Sequence, residues 1–327
     1  MKSPKIKWIV LLVKAIVSVG LLIILIRYIQ PARLQATLRE AKFIYLIFAG
    51  LLMPFNLLAQ VLRWRLLAST EVSNIPLSRY WFSLLGGFTF GLITPGRMGE
   101  IGRVFLLKAP SRLRLAGLHI MDKLFFVGAV ALLGPLMLFL MPGFSQNLPG
   151  NLRIGIGVIV SLLPLLYFYL AFDLRPLKSL LLGVQLTFPA KPRILELLRA
   201  FEGLKSRHCL GAVGLTTIQF LIVLTQFQLT TLAFQPVKWI YAAHTYWAVL
   251  FVKTILPISL GSLGIGEWAS VSFYQHYGIA EQNAFSASLL LFGMNVLLPG
   301  LLGLIAILHA RTNAIVQIIA SESEEAA

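Results

Sequence analysis

Apolar residues fall in blocks of about 20, the length a helix needs to cross the hydrocarbon core of a bilayer, separated by short polar connections. This pattern predicts full spans at residues 8–26, 43–62, 123–141, 154–171, 210–232 and 285–309. Two further apolar stretches, 80–94 and 246–265, are interrupted by Pro and Gly, and each runs into a carboxylate, Glu100 or Glu267. The expected fold is all-α: a polytopic membrane protein of six full transmembrane helices plus two Pro/Gly-broken re-entrant hairpins in a candidate inverted repeat. Residues 1–310 form a single transmembrane domain. Residues 311–327, with Ser321-Glu322-Ser323-Glu324-Glu325, form an acidic cytoplasmic tail.

Lys2, Lys5 and Lys7 precede an apolar run from Trp8 to Ile26, which resembles a signal peptide. The run is too long for a typical h-region, and Arg27-Tyr28-Ile29-Gln30 offers no small-residue cleavage site. It reads as an uncleaved first span, with Lys14 inside it.

Charge orients the spans. The connection 142–152 has no charged residue and 235–245 has only Lys238, whereas 172–209 carries seven Lys and Arg residues. The positive-inside bias puts 172–209 in the cytoplasm and the two poor connections outside. Alternation then places both termini and 63–79 inside, as expected for a multi-pass protein of the inner (plasma) membrane. It also puts 27–42 outside despite Arg27, Arg33, Arg39 and Lys42, against the same bias. Residues 192–206 read either as a short amphipathic helix on the inner surface or as a solvated linker. Segment 80–122 would begin and end inside, and 246–284 would begin and end outside. Broken segments entering from opposite faces are the usual frame of a transport site at mid-membrane, where a cavity satisfies irregular backbone.

Composition narrows the picture further. Apolar residues make up 58% of the chain and charged ones 12%, with a mean hydropathy of +0.84. A soluble domain carries about twice that charged fraction. The net charge of +16 arises from cations lying between apolar blocks, which argues against a nucleic-acid partner. Cys209 is the only cysteine, and His119, His208, His244, His276 and His309 show no ligand spacing. No metal, cofactor or nucleotide-binding loop is expected.

Carboxylates at membrane depth face a partner charge or a wet cavity. Arg97 and Arg103 each lie three residues from Glu100, which predicts all three near one helical face. They can form an internal salt bridge that locks the hairpin. They can also form a headgroup site, because Arg forks match phosphate oxygens and nearby glycines let backbone N–H groups approach. Arg63-Trp64-Arg65 at the inner end of the second span reads first as an interfacial anchor, and otherwise as a place where headgroups are admitted. Asp122-Lys123 reads as a charge pair starting the helix 123–141, with a site role as the alternative. Thr94, Ser259 and Ser262 read as polar contacts between helices. The binding residues expected from these patterns are Arg63, Arg65, Arg97, Glu100, Arg103, Asp122 and Glu267. No catalytic residue is assigned.

Arg63-Trp64-Arg65, then Thr94-Pro95-Gly96-Arg97-Met98-Gly99-Glu100-Ile101-Gly102-Arg103, then Asp122-Lys123, and finally Pro257 through Gly266-Glu267, resemble the lysylphosphatidylglycerol synthase transmembrane-region family. This family is also described as flippase-like and is related to the UPF0104 group. The Pro-Gly-Arg-x-Gly-Glu block is its most specific element, and the resemblance runs over residues 8–310. It implies a membrane region similar to one that moves aminoacylated phosphatidylglycerol between leaflets, while a cytoplasmic domain attaches the amino acid. No such domain is expected here, so synthase activity is not implied. Other members are associated with polyprenyl-phosphate sugars. Lys123 stands where the family pattern has Arg, keeping the charge without the bidentate fork.

The leading expectation is a lipid translocase that binds an anionic or phosphate-bearing headgroup in a groove between the two hairpins. Membrane lipids of phospholipid or polyprenyl-phosphate type are its partners, with a separate lipid-modifying enzyme as a further candidate. One alternative is an ion-coupled transporter of a small solute, with Glu100 and Glu267 carrying protons or cations. The other is an intramembrane enzyme built on Ser262 and His276. It has no His-Glu-x-x-His motif, no well-placed aspartate dyad and no carboxylate cluster to support it.

Overall fold

The computed structural model describes residues 39–94, 96–144, 146, 149–172, 192–257 and 263–310. The expected span 8–26, the acidic tail, residues 173–191 of the connection 172–209, and both Ser259 and Ser262 lie outside the described residues. Every regular element among the described residues is helical.

In chain order these are α1 (Phe43–Ala68), α2 (Leu77–Leu92), a 3-10 segment (Met98–Leu106), α3 (Arg112–Leu140), α4 (Gly150–Phe172), α5 (Pro192–Arg199), α6 (Ser206–Leu232), α7 (Trp239–Ile255), α8 (Ile265–Tyr274) and α9 (Glu281–Phe292). A π turn, Gly293–Leu297, carries α9 on to Ala310. Among the described residues, five helices are long and apolar enough to cross a membrane: Phe43–Ala68, Arg112–Leu140, Gly150–Tyr167, Ser206–Leu232 and Glu281–Ala310. They coincide with five of the six predicted spans.

The sides of α1 follow from its sequence. Ile44, Ile47, Phe48, Leu51 and Phe55 recur at helical spacing and are exposed. Met53, Asn56, Leu57, Arg63, Trp64 and Leu67 lie on the other side and are buried. The outward side from Ile44 to Phe55 is apolar, as a lipid solvent requires, while the inward side mixes apolar side chains with the polar Asn56 and Arg63. α1 packs along α6, α3 lies against α4 and α7, and α9 lies against α6 and α8.

Two boundaries differ from the sequence expectation. The third helix begins at Arg112, eleven residues before 123, because Ser111 caps it: its Oγ accepts from the Arg114 amide at 3.3 Å. Arg112 and Arg114 depress the local hydropathy and hide this turn from a search for apolar runs. The Asp122-Lys123 pair therefore sits well inside a helix and does not start one. Downstream, the helix expected at 192–206 ends at Arg199 and is followed by turns.

Each of the two broken segments supplies two short helical elements in sequence. α2 turns at Thr94–Arg97 and the chain returns as the 3-10 segment packed on α2; α7 ends at Ile255 and is followed by α8. α2 has 16 residues, about 24 Å of helix, against a hydrocarbon core of about 30 Å. The turns of the two units touch. Gly96 adopts a left-handed φ of 57°, and a Cβ placed on it would lie 2.8 Å from Pro257 Cβ. Only glycine fits that φ and that gap without strain.

The connections gather at two ends. At one, Glu71 meets Arg114 at 3.6 Å and Ser111 donates to Glu196 at 2.6 Å. At the other, the Lys42 amide donates to the Ala233 carbonyl at 2.8 Å. Residue 42 thus shares an end with 233–238, as alternation of the spans requires. At that same end the Gln235 carboxamide donates to the Gly278 carbonyl at 3.1 Å and accepts from the Ala280 amide at 3.0 Å and Asn283 at 2.9 Å. Gln235→Ala removes all three bonds and leaves a backbone donor and acceptor to water. The expected fall in stability is about 1–2 kcal/mol, read as a lower thermal midpoint in detergent with lipid binding retained.

Candidate functional site

Three buried carboxylates organise the site, and two of them, Asp122 and Glu100, hold cations brought from other elements. Asp122 on α3 is the centre of the first group. Its Oδ1 accepts from Arg63 Nε at 2.6 Å and its Oδ2 from Arg103 Nη2 at 2.6 Å. All three side chains are buried. The Arg63 fork continues to Thr216 Oγ1 at 3.0 Å and Gln219 Oε1 at 2.6 Å on α6. The Arg103 guanidinium lies 4.1 Å from the centre of the Trp64 ring, a cation–π contact strengthened by exclusion of water. Trp64 Nε1 donates to Ser83 Oγ at 3.2 Å, and Ser83 in turn donates to the Arg103 carbonyl at 2.8 Å. One aspartate therefore ties α1, the 3-10 segment and α3 together, with Arg63 reaching on to α6.

Glu100, in the 3-10 segment, is the second centre and pairs with both Arg97 and Lys123. Arg97 has a left-handed φ of 58° and stacks on Phe88, its guanidinium 4.7 Å from the ring centre. A non-glycine residue held there costs about 1–3 kcal/mol and marks a position that the surroundings impose. The turn beneath it is fixed by Thr94, whose Oγ1 accepts from the Gly99 amide at 2.7 Å and donates to the Phe90 carbonyl at 2.9 Å.

Glu267 is the third. Its Oε2 accepts from the Gly264 amide at 2.6 Å, closing the N-terminus of α8. Lys253, in the last turn of α7, is close by: a Cβ placed on Gly266 would lie 3.6 Å from its Nζ. Lys253 forms no ion pair within 4 Å among the described residues.

Between these groups lies a cavity of about 150 Å³. Arg63, Arg97, Lys123 and Lys253 line it, together with a single carboxylate, Glu267. Asn56, Gln60, Gln219 and Asn295 supply neutral amides, and Phe88, Phe126, Phe227 and Tyr246 supply aromatic surface. Asn295 sits in the π turn, a local widening that is frequent at functional positions, and its Oδ1 accepts from Asn56 Nδ2 at 2.6 Å.

Of the residues picked out by sequence, Arg63, Arg97 and Glu267 line the cavity, while Glu100, Arg103 and Asp122 stand behind it and hold the cations. Arg65 is exposed and does not line it. Three expectations need correction. Arg103 pairs with Asp122 and not with Glu100: the two share a row of the 3-10 segment, but Arg103 meets Asp122 of α3 while Glu100 is held by Arg97 and Lys123. Arg63-Trp64 is no interfacial anchor, since both side chains are buried in the ion network. Thr94 braces its own turn and does not bridge helices.

Lys123, Lys253, Asn56, Gln60, Gln219 and Asn295 were not among the expected site residues. A lysine inside the apolar stretch 246–265 was the available signal for Lys253, because a charge at that depth is retained only with a role. The amides carry no such signal in sequence.

Residues 11–303 match the family described as the lysylphosphatidylglycerol synthase TM region. The chain belongs to that family. The match covers nearly every described helix and all of the residues that build the cavity, so the site is set within the family's own region. No curated protein and no solved structure matches the chain.

Proposed function

We propose that this chain is a flippase-like membrane lipid translocase whose cavity receives an anionic, phosphate-bearing headgroup while the acyl or prenyl tails stay in the bilayer. The observation that carries this reading is the charge balance of the site. Arg63, Arg97, Arg103, Lys123 and Lys253 face only Asp122, Glu100 and Glu267, and Lys253 forms no ion pair among the described residues. An excess of desolvated cations is unfavourable until an anion joins it, and phosphate oxygens accept from Arg and Lys in strong charge-assisted bonds. Membership in a lipid-related membrane family supports the same reading.

The two broken units, α2 with the 3-10 segment and α7 with α8, act as re-entrant hairpins whose touching turns frame the headgroup near mid-membrane. The end holding Arg114 and Glu196 faces the cytoplasm of the plasma membrane, with both termini on that side, following the positive-inside bias. Arg97, held in a strained conformation by one carboxylate and one ring, meets the phosphate first, with Lys123 and Lys253 completing the shell.

Lys253→Gln is the cleanest test, because it breaks no ion pair among the described residues. In vesicles reconstituted with full-length protein, exposure of a fluorescent anionic phospholipid to an external quencher should slow about ten- to hundredfold, the worth of one charge-assisted bond. Arg97→Gln should slow it at least as much. Unchanged lipid exposure in the folded Lys253→Gln protein, or competition by inorganic phosphate at lipid-like concentrations, would overturn the reading.

A further inference from the structure

The cavity has two unlike walls. One is cationic, with Arg97, Lys123 and Lys253. The other is an ordered run of amides: Gln60 Nε2 donates to Asn56 Oδ1 at 3.1 Å, Asn56 Nδ2 donates to Asn295 Oδ1 at 2.6 Å, and Asn295 Nδ2 donates to the Leu291 carbonyl at 3.3 Å. Each link in this run consumes one donor and one acceptor. The second amide hydrogens and the Gln60 carbonyl remain for a ligand. Asn56 Oδ1 and Asn295 Oδ1 each accept one bond and keep a second lone pair, so the wall offers N–H donors and oxygen acceptors alike, with no charge.

An ammonium group is a donor only and carries charge. On the amide wall it would find neutral oxygens but no counter-charge, and it could not use the N–H donors there. Its one carboxylate within the lining is Glu267, but one oxygen of Glu267 already closes α8 and the Lys253 ammonium lies beside the same turn. A second ammonium there would bring like charges together in a site shielded from water, where repulsion is several times stronger than in bulk solvent. A hydroxyl, which both donates and accepts, suits the amide wall without adding charge.

Taking the cavity as the headgroup site proposed above, we infer that its lipid carries a phosphate diester whose head bears hydroxyls and no ammonium. The phosphate lies against Arg97, Lys123 and Lys253, and the hydroxyls against Asn56, Gln60 and Asn295. Asn56 and Asn295 are thereby specificity-determining residues, joined across α1 and the π turn of α9. A head carrying a lysyl ester or an ethanolamine is rejected by charge, and a bare phosphate monoester leaves the amide wall unused.

Full-length protein in mixed micelles offers a direct comparison. Equimolar phosphatidylglycerol, phosphatidylethanolamine, lysylated phosphatidylglycerol and phosphatidic acid are supplied, and the lipids retained after detergent exchange are measured by mass spectrometry. Phosphatidylglycerol should be retained about tenfold over both amine-bearing lipids and clearly over phosphatidic acid. Asn295→Leu and Asn56→Leu should each bring the ratio of phosphatidylglycerol to phosphatidic acid toward one. If either variant fails to fold, the half-buried Gln60→Leu reads the same ratio. Equal retention of an amine-bearing lipid, or an unchanged ratio in the folded amide variants, would overturn the inference while leaving the phosphate reading intact. Loss of all lipid discrimination in the wild type, or displacement by equimolar sn-glycerol 3-phosphate, would overturn it as well. Retention of every phospholipid by Lys253→Gln at wild-type levels would instead defeat the phosphate reading itself.

Discussion

Asp122→Ala should be the most destabilising single substitution in the buried ion network. It removes the carboxylate that pairs with both buried arginines, Arg63 and Arg103, and leaves the two guanidiniums without a counter-charge among the described residues. Breaking a buried pair by deleting one partner costs about 3–5 kcal/mol, because the surviving charge stays desolvated. Thr216 and Gln219 still hold Arg63, and Trp64 still faces Arg103, but neutral partners do not offset the charge. The expected result is a large drop in the thermal midpoint and in the yield of monodisperse protein. Asp122→Glu keeps the charge and should recover part of the loss. A midpoint near that of the wild type in Asp122→Ala would show that the two arginines reach water or lipid phosphate without this carboxylate.

Gly99→Ala should disable the site through the backbone. A Cβ at position 99 would lie 2.2 Å from the Phe90 carbonyl oxygen and 2.6 Å from Thr94 Oγ1. Neither can withdraw, since one is the backbone of α2 and the other braces the turn through the Gly99 amide. The 3-10 segment must move off α2, carrying Glu100 and the turn that holds Arg97 with it. Overpacking of this kind costs about 1–3 kcal/mol in stability. Because the displaced residues line or support the cavity, lipid exposure in the vesicle assay should fall close to the protein-free rate. Gly214→Ala, on an exposed face of α6 with nothing within 4 Å of the added Cβ, is the matched control and should leave both stability and lipid exposure near wild type. Wild-type lipid exposure in Gly99→Ala would show that the position of this turn is not required for transport.

Much of the frame was legible in the sequence for one reason: a bilayer demands apolar runs of a set length. Five predicted spans lie within the five long apolar helices, except that α4 qualifies only to Tyr167, because length and hydropathy are local properties. The breaks that follow α2 and α7 were visible because Pro and Gly cluster there, at 95–99 and 257–266, whereas the lone Pro54, Pro135 and Pro164 sit inside continuous helices. Boundaries were less legible where charge enters a helix, and the start of α3 at Arg112 shows this most clearly. The carboxylates of the site were also conspicuous, because Glu100, Asp122 and Glu267 are rare charges among apolar neighbours.

Which cation each carboxylate holds was not legible. Three-residue spacing pointed Arg103 at Glu100, yet Arg103 reaches Asp122, 19 residues away, and Arg63 meets the same aspartate across 59 residues. Spacing along one helix says which residues share a row, but pairing across helices depends on how those helices pack. The two parts of the Arg63-Trp64-Arg65 motif separate in the same way, Arg63 inward to the ion network and Arg65 outward. The amide wall is more distant still from any local pattern, since Asn56 and Asn295 lie 239 residues apart and meet only because the π turn of α9 faces α1.

The sequence by itself determined that this is a helical membrane protein, where its helices run, where two of them break, and which family it belongs to. Those properties follow from hydropathy and from residue order along a single chain. Only the tertiary structure decided that the two breaks touch at Gly96 and Pro257 and that Lys123 and Lys253 share a cavity with Arg97. It alone brought a run of amides into the same cavity as those cations. The physical reason is that a binding site is made of contacts between elements, and in a bundle those contacts are set by helix packing and buried charge balance rather than by neighbours in sequence.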